Sequence, residues 1–209
     1  MSNPEQGSPK AVIFGCAGPA LTADERALFR ASRPLGFILF ARNCVDPDQL
    51  RRLVAELRVA IASPDAPVLI DQEGGRVARL GPPHWRKPPP ARVFGALAER
   101  DRAAGREATM LNARLIGREL AGLGITVDCT PVLDVPAADG HDIIGDRAFA
   151  VDPTLVAGTR VSTGTATSVR PERKNSSRAS PRQRGDAPGP SDTMWEAALL
   201  GSPIRHTSR

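Results

Sequence analysis

Nowhere in the chain do about 18 apolar residues follow one another, the run that a membrane-spanning helix requires. The first residues, "MSNPEQGSPK", also lack the charged-then-apolar layout of a secretory leader. Neither membrane insertion nor export is indicated, and the cytoplasm is the expected location. Cysteine is scarce: Cys16, Cys44 and Cys129 are odd in number and widely spaced, which fits neither a disulfide framework nor a zinc site. They read as reduced thiols packed beside strands. Histidine is equally scarce, and His84, His141 and His206 have no ligand spacing between them, so no metal is expected. No G-x-G-x-x-G turn and no P-loop occurs, which removes the usual dinucleotide and nucleoside triphosphate cradles. No cofactor is implied.

Positive charge is in excess, but it is unevenly placed. Residues 1–160 hold 20 Lys and Arg against 19 Asp and Glu, whereas residues 161–209 hold 8 against 4. After Thr159 the chain is crowded with Ser, Thr, Arg and Pro, and its few large apolar residues follow neither a helical nor a strand period. Such a segment cannot bury enough apolar surface to offset an ordering entropy of about 1–2 kcal/mol per residue. Residues 159–209 are therefore expected to form a disordered basic tail. With Trp195 as its single aromatic residue and no dense basic run, the tail reads as solvated sequence, and no nucleic-acid partner is expected.

Residues 11–158, preceded by a flexible stretch at 1–10, have the character of a folded domain. The apolar runs in "AVIFGCAG", "GFILFARN", "PVLIDQEGG" and "ITVDCTPVLDV" each end in polar residues. They are apolar throughout rather than alternating, as parallel strands covered on both faces by helices are. Between them lie helical segments. Leu50, Leu53, Val54, Leu57 and Ile61 make one apolar stripe, started by Asp46 as a cap and Pro47 at the first helical position. Thr22 with Glu25 gives a capping-box pattern, Asp152 with Pro153 repeats the Asp-Pro start, and another helix is expected from roughly Ala104 to Leu123.

About four β-then-α units predict an α/β fold, a partial (β/α)8 TIM-type barrel, since a whole one takes roughly 250 residues. A complete doubly wound sheet is the rival, and the glycine-poor first turn "GCAGPALT" speaks against it. A half barrel leaves two strand edges and an apolar face open, so self-association through the open barrel edge and poor solubility are expected.

Ligands of such folds sit beyond the carboxyl ends of the strands. The polar residues there are Arg42 and Asn43 after "GFILF", Asp71 and Glu73 with Arg76 and Arg79 after "PVLI", Asp134 after "TPVL", and Asp146 and Arg147 in "HDIIGDRAF". Carboxylates paired with arginines suit a neutral, hydroxyl-rich ligand: Asp accepts from sugar hydroxyls and Arg donates to sugar oxygens. Glu73 and Arg76 can equally form a salt bridge that ties a loop down, and Asp134 can simply cap a loop. Gly74 and Gly75 read as turn formers.

The motifs "GFILFARN", "LIDQEGGRVARL", "TPVLDV" and "IGDRAFAVDP", in that order, resemble the N-terminal half of glycoside hydrolase family three, specifically the bacterial β-N-acetylhexosaminidases. The resemblance runs from about Ala11 to Val156. It implies a barrel acting on terminal β-linked N-acetylglucosamine, with a sugar or muropeptide as substrate, in cytoplasmic recycling of peptidoglycan fragments. A β-glucosidase is the nearest competitor within the family. Asp71 resembles the aspartate that takes sugar hydroxyls, Arg79 a second sugar-binding position, and Arg147 the arginine that reaches the sugar and its acetamido side. The family's retaining double displacement also implies a proton-transfer histidine after a Lys-His segment and a nucleophilic aspartate further on. Neither is found here, so no catalytic residue is assigned. The expectation is a truncated, non-catalytic remnant that at most binds sugar, with residues 159–209 read out of frame.

Overall fold

A computed structural model describes residues 8–137 and 142–163, the last five of them through their backbone alone. All belong to one compact unit. In chain order the elements are β1 (Lys10–Phe14), α1 (Ala23–Ser32), β2 (Pro34–Leu39), α2 (Pro47–Ala60), β3 (Val68–Ile70), β4 (Gln72–Gly74), β5 (Val77–Ala78), α3 (Ala91–Arg100), α4 (Arg102–Gly122), β6 (Val127–Asp128) and α5 (Pro153–Thr163).

The strands expected from the apolar runs form one parallel sheet in the order β1-β2-β3-β6, with β4 and β5 as a separate antiparallel ribbon. Parallel strands need crossovers, and α1, α2 and the α3–α4 pair supply them. The fold is thus the expected partial barrel of β/α units. β1 begins at Lys10, inside the stretch read as flexible, and α5 runs past residue 158 into the segment read as tail. The rest of the expected disordered tail, residues 164–209, lies outside the described residues. Among the described residues no helix is long and apolar enough to cross a membrane.

Local chemistry starts the helices where the sequence indicates. The Thr22 hydroxyl accepts the Glu25 N–H at 3.1 Å while the Glu25 carboxylate accepts the Thr22 N–H at 2.9 Å, a reciprocal capping box. Asp46 accepts the amides of Asp48 and Gln49 at 2.9 and 2.8 Å ahead of Pro47, and Asp152 accepts that of Thr154 at 2.8 Å. The α2 stripe of Leu50, Leu53, Val54 and Leu57 is buried against Phe37, Leu39, Val68 and Ile70 of β2 and β3. Each such side chain contributes about 1.5–3 kcal/mol through burial.

α3 is the element the periodicity does not announce. It packs on α4 where Gly105 meets the backbone of Ala98, and on the segment around Phe149, whose carbonyl oxygen fills the space a Cβ of Gly95 would take. A second cluster forms there from Ala98, Phe149, Ala150, Leu155 and Val156.

Candidate functional site

Register decides which side chains meet. Leu39 pairs through β2–β3 with Ile70, and Ile70 through β3–β6 with Asp128, so three strands end at one level. Asp71 follows Ile70 directly and binds Arg79 at 2.8 Å, both side chains about three-quarters buried. Arg79 is fixed from below by Gln72, which is fully buried. The Gln72 side-chain oxygen accepts the N–H groups of Arg79 and Leu80 at 2.8 and 3.0 Å, and its amide donates to the Leu80 carbonyl at 3.0 Å. The Arg79 guanidinium stands 5.9 Å from the centre of the Phe40 ring, with Arg42 over the same ring at 4.6 Å.

The β4–β5 ribbon carries the second pair. It turns through Gly74 and Gly75 at φ 102° and 59°, the left-handed region glycine tolerates, and prolines 89 and 90 press where side chains would be. Glu73 leaves this ribbon to take Arg147 in a two-point fork, Nε to Oε2 at 2.9 Å and Nη2 to Oε1 at 2.8 Å. Arg76, in the turn, crosses to the same loop: it pairs with Asp146 at 3.2 Å and donates to the carbonyls of Ile143 and Ile144 at 2.7 and 2.6 Å. The salt bridge anticipated between Glu73 and Arg76 therefore does not form, because each side chain reaches across to the 142–147 loop instead.

Asp128 is the acid at the tip of β6. The strand stops there, since Pro131 has no N–H for a ladder, so Asp134 is an exposed loop residue and not the strand tip expected from "TPVL". The Asp128 carboxylate accepts the Gln72 N–H at 2.9 Å. Burial pushes its pKa up to about 6, against the Gln72 and Thr130 hydrogen bonds, with the charges of Asp71 and Glu73 adding to the rise. Beside it, Cys129 is exposed as a residue, but its thiol is pushed up to about 11, by the partial burial of the sulfur first and by the Asp71 charge next. The cysteines are free as expected; Cys16 is buried, but Cys129 is exposed rather than packed. Among the described residues no three His, Cys, Asp or Glu side chains group as a metal site would need. His141 and His206 lie outside the described residues.

Asp71 and Arg79 are thus in direct contact, and Arg147 joins them through charge: Glu73 holds it above the ordinary arginine range, with Asp134 and Asp71 adding to the effect. Glu73, Asp128 and Arg147 also border a hollow walled by Phe94, Ile116 and Phe149. Asp71 and Arg79 stand outside that wall. Asp128 and Gln72 escaped the sequence reading, although "ITVD" carries the same signal as "VLID", an apolar run ending in an acid.

Helix-covered parallel strands with acids and arginines at their carboxyl ends define a barrel-type α/β protein, a class whose ligands sit at that edge. The chain belongs to glycosyl hydrolase family 3: the profile of the Glycosyl hydrolase family 3 N terminal domain matches residues 17–170, past the boundary drawn at 158. It is 40% identical to the Beta-hexosaminidase of Aromatoleum aromaticum over 148 residues, 70% of this chain and 40% of that one. It is 38% identical to that of Methylococcus capsulatus over 158 residues, 76% of this chain and 45% of that one. Among solved structures, NagZ from Neisseria gonorrhoeae in complex with zinc ion superposes with a TM-score of 0.70 at 30% identity, over 76% of this chain and 47% of that one. The same protein in complex with N-trifluoroacetyl-D-glucosamine gives 0.69 at 30% identity over the same shares. The chain spans less than half the length of these relatives.

Proposed function

We propose that this chain carries the sugar-gripping half of a β-N-acetylhexosaminidase site, taking terminal β-linked N-acetylglucosamine of the kind found in muropeptides. The observation that carries the reading is the pair of arginine–carboxylate contacts, Asp71 with Arg79 and Glu73 with Arg147, set at one end of a parallel sheet. Asp71 has a second oxygen to accept from sugar hydroxyls. Arg147, held by its fork to Glu73, presents a guanidinium that donates to the acetamido oxygen. The Beta-hexosaminidase relatives and the N-trifluoroacetyl-D-glucosamine complex of the gonococcal protein support the choice of sugar over plain glucose. These residues position a ligand. Asp71 and Glu73 are bound to arginines, and Asp128 is bound to the Gln72 amide, so the rim serves recognition, and bond cleavage needs groups beyond it.

N-acetylglucosamine titrated into the chain is expected to shift the resonances of Asp71, Arg79 and Arg147. Asp71→Asn and Arg147→Ala should each weaken binding about 10- to 100-fold, as the loss of a charge-assisted hydrogen bond does. Equal affinity for glucose would favour a β-glucosidase-like member, and unchanged affinity in both variants would remove the reading. The chain alone should release no aryl group from an aryl β-N-acetylglucosaminide. Release at the rate of a full-length relative would overturn its non-catalytic standing.

The cytoplasm and peptidoglycan recycling follow as the setting of such a substrate. Self-association belongs to the same proposal, because among the described residues β6 pairs with β3 on one side only, and Val127, Leu133 and Val135 are exposed beside it. Sedimentation should show mass rising with concentration, and a monomer with a sharp cooperative melt would count against this.

A further inference from the structure

Asp71, Glu73 and Asp128 stand together at this rim, and two of the three hold a guanidinium group, Asp71 that of Arg79 and Glu73 that of Arg147. Asp128 is left with neutral donors, the Gln72 N–H and the Thr130 side chain. We propose that Asp128 is the positioning residue of the rim: by holding the Gln72 N–H it fixes the turn between β3 and β4 and so aims Asp71 and Glu73. The role rests on the rim being a sugar site, but its geometry can be tested without sugar.

Side chains alternate along an extended segment, so with Gln72 buried, its neighbours Asp71 and Glu73 leave on the opposite face. Gln72 pairs with Ala78 across the β4–β5 ribbon, its side chain grips the backbone of Arg79 and Leu80, and its N–H crosses to β6. Asp128 thus extends the tie between the strand tips by one step, beyond the 2.8 Å bond from the Cys129 N–H to the Ile70 carbonyl, and holds the residue that both functional carboxylates flank.

Among the described residues the charged groups facing Asp128 are Asp71 and Glu73 from the β3–β4 turn, with Arg147 from the 142–147 loop neutralising Glu73. From its own segment come Cys129 and Thr130, and the α4 residues along the shared hollow, Thr109, Asn112 and Ile116, carry no charge. Burial among these groups is what brings the Asp128 carboxyl to about 6. Its protonation weakens an acceptor that was charge-assisted, so the turn loosens as pH falls through that value. Global stability moves the other way. A carboxyl whose folded pKa lies above its unfolded value near 3.9 favours the fold more as pH falls from above the folded value toward the unfolded one. Opposite trends in rim order and in stability are a signature that a purely structural residue does not give.

The test follows the Gln72 amide and the Arg147 Nε–H resonances of the sugar-free chain from about pH 5 to about pH 8. Both are expected to titrate together with a midpoint of about 6, and to be flat in Asp128→Asn, which keeps the shape and cannot ionise. A Gln72 amide that does not titrate, or that keeps its inflection in the variant, overturns the proposal. If Asp128→Asn does not fold, the carboxyl ¹³C shift of Asp128 in the unaltered chain decides, since it must share the midpoint of Gln72. N-acetylglucosamine affinity is then compared at the two ends of the range. A rim that titrates as expected but binds no sugar refutes the sugar reading alone, and one that binds sugar while Gln72 stays flat refutes the positioning role alone.

Discussion

Asn43→Ala is expected to destabilise the fold by about 3–5 kcal/mol and to lower its thermal midpoint by roughly 10 °C. Asn43 is wholly buried at the exit of β2 and bonds in three directions. Its side-chain oxygen accepts the Phe40 N–H at 2.9 Å, and its amide donates to the carbonyls of Cys16 and Gly18 at 3.1 and 2.8 Å. Alanine leaves the part-buried Phe40 N–H and Gly18 carbonyl without these partners, at about 1–3 kcal/mol each, while the Cys16 carbonyl keeps Arg42 at 3.1 Å and the Gly18 carbonyl keeps only the Cys16 thiol at 3.7 Å. The amide also joins the exits of β1 and β2, and Phe40 is the ring beneath Arg42 and Arg79, so its loss loosens that side of the rim. Asn43→Asp should be no milder, because it turns a carboxylate oxygen toward two carbonyls. Urea or thermal melts measure the effect. A change under about 1 kcal/mol would show that water replaces the amide and that the two strand exits hold without it.

The strands were legible in the apolar runs because helix-covered parallel strands leave their pattern unalternated, and Thr22, Asp46 and Asp152 mark helix starts by a chemistry local to a few residues. α3 was not, since Gly95 at its centre lowers helical propensity for a reason that exists only in three dimensions, the approach of Phe149. The same divide runs through the site. Asp71, Arg79 and Arg147 stand where apolar runs or family motifs end, so their placement could be read. Pairing could not: Glu73 and Arg76 are three residues apart and suggest a local bridge, yet Glu73 selects Arg147, 74 positions away. In "ITVDCTPVLDV" the apolar run outlasts the strand, which hid Asp128 behind Asp134. Gln72 looks like any polar neighbour until its burial is known.

Gly95→Ala should disable the Arg147 side of the rim while leaving Asp71 and Arg79 paired. A Cβ on Gly95 overlaps the carbonyl oxygen of Phe149, an atom of the backbone that no rotamer change can move aside. α3 cannot retreat, because Gly105 of α4 already lies against the backbone of Ala98. The strain must then be taken by the segment that includes Phe149 and Ala150, two residues beyond Arg147. Arg92 loses its 3.1 Å bond to the Phe149 carbonyl with it. Destabilisation of about 3 kcal/mol is expected from the overpacking, together with loss of the Arg147 Nε–H signature of the Glu73 fork and at least a tenfold loss of N-acetylglucosamine affinity. Gly122→Ala serves as the control. It ends α4 with nothing near its added Cβ, and should be neutral or stabilising by about 0.5–1 kcal/mol. If Gly95→Ala melts like the unaltered chain and keeps the fork, the 142–150 loop is compliant and Arg147 is held by Glu73 alone. If the fork goes while the Asp71–Arg79 contact survives, the two arginines have separate supports, Arg147 from the α3–α4 packing and Arg79 from Gln72.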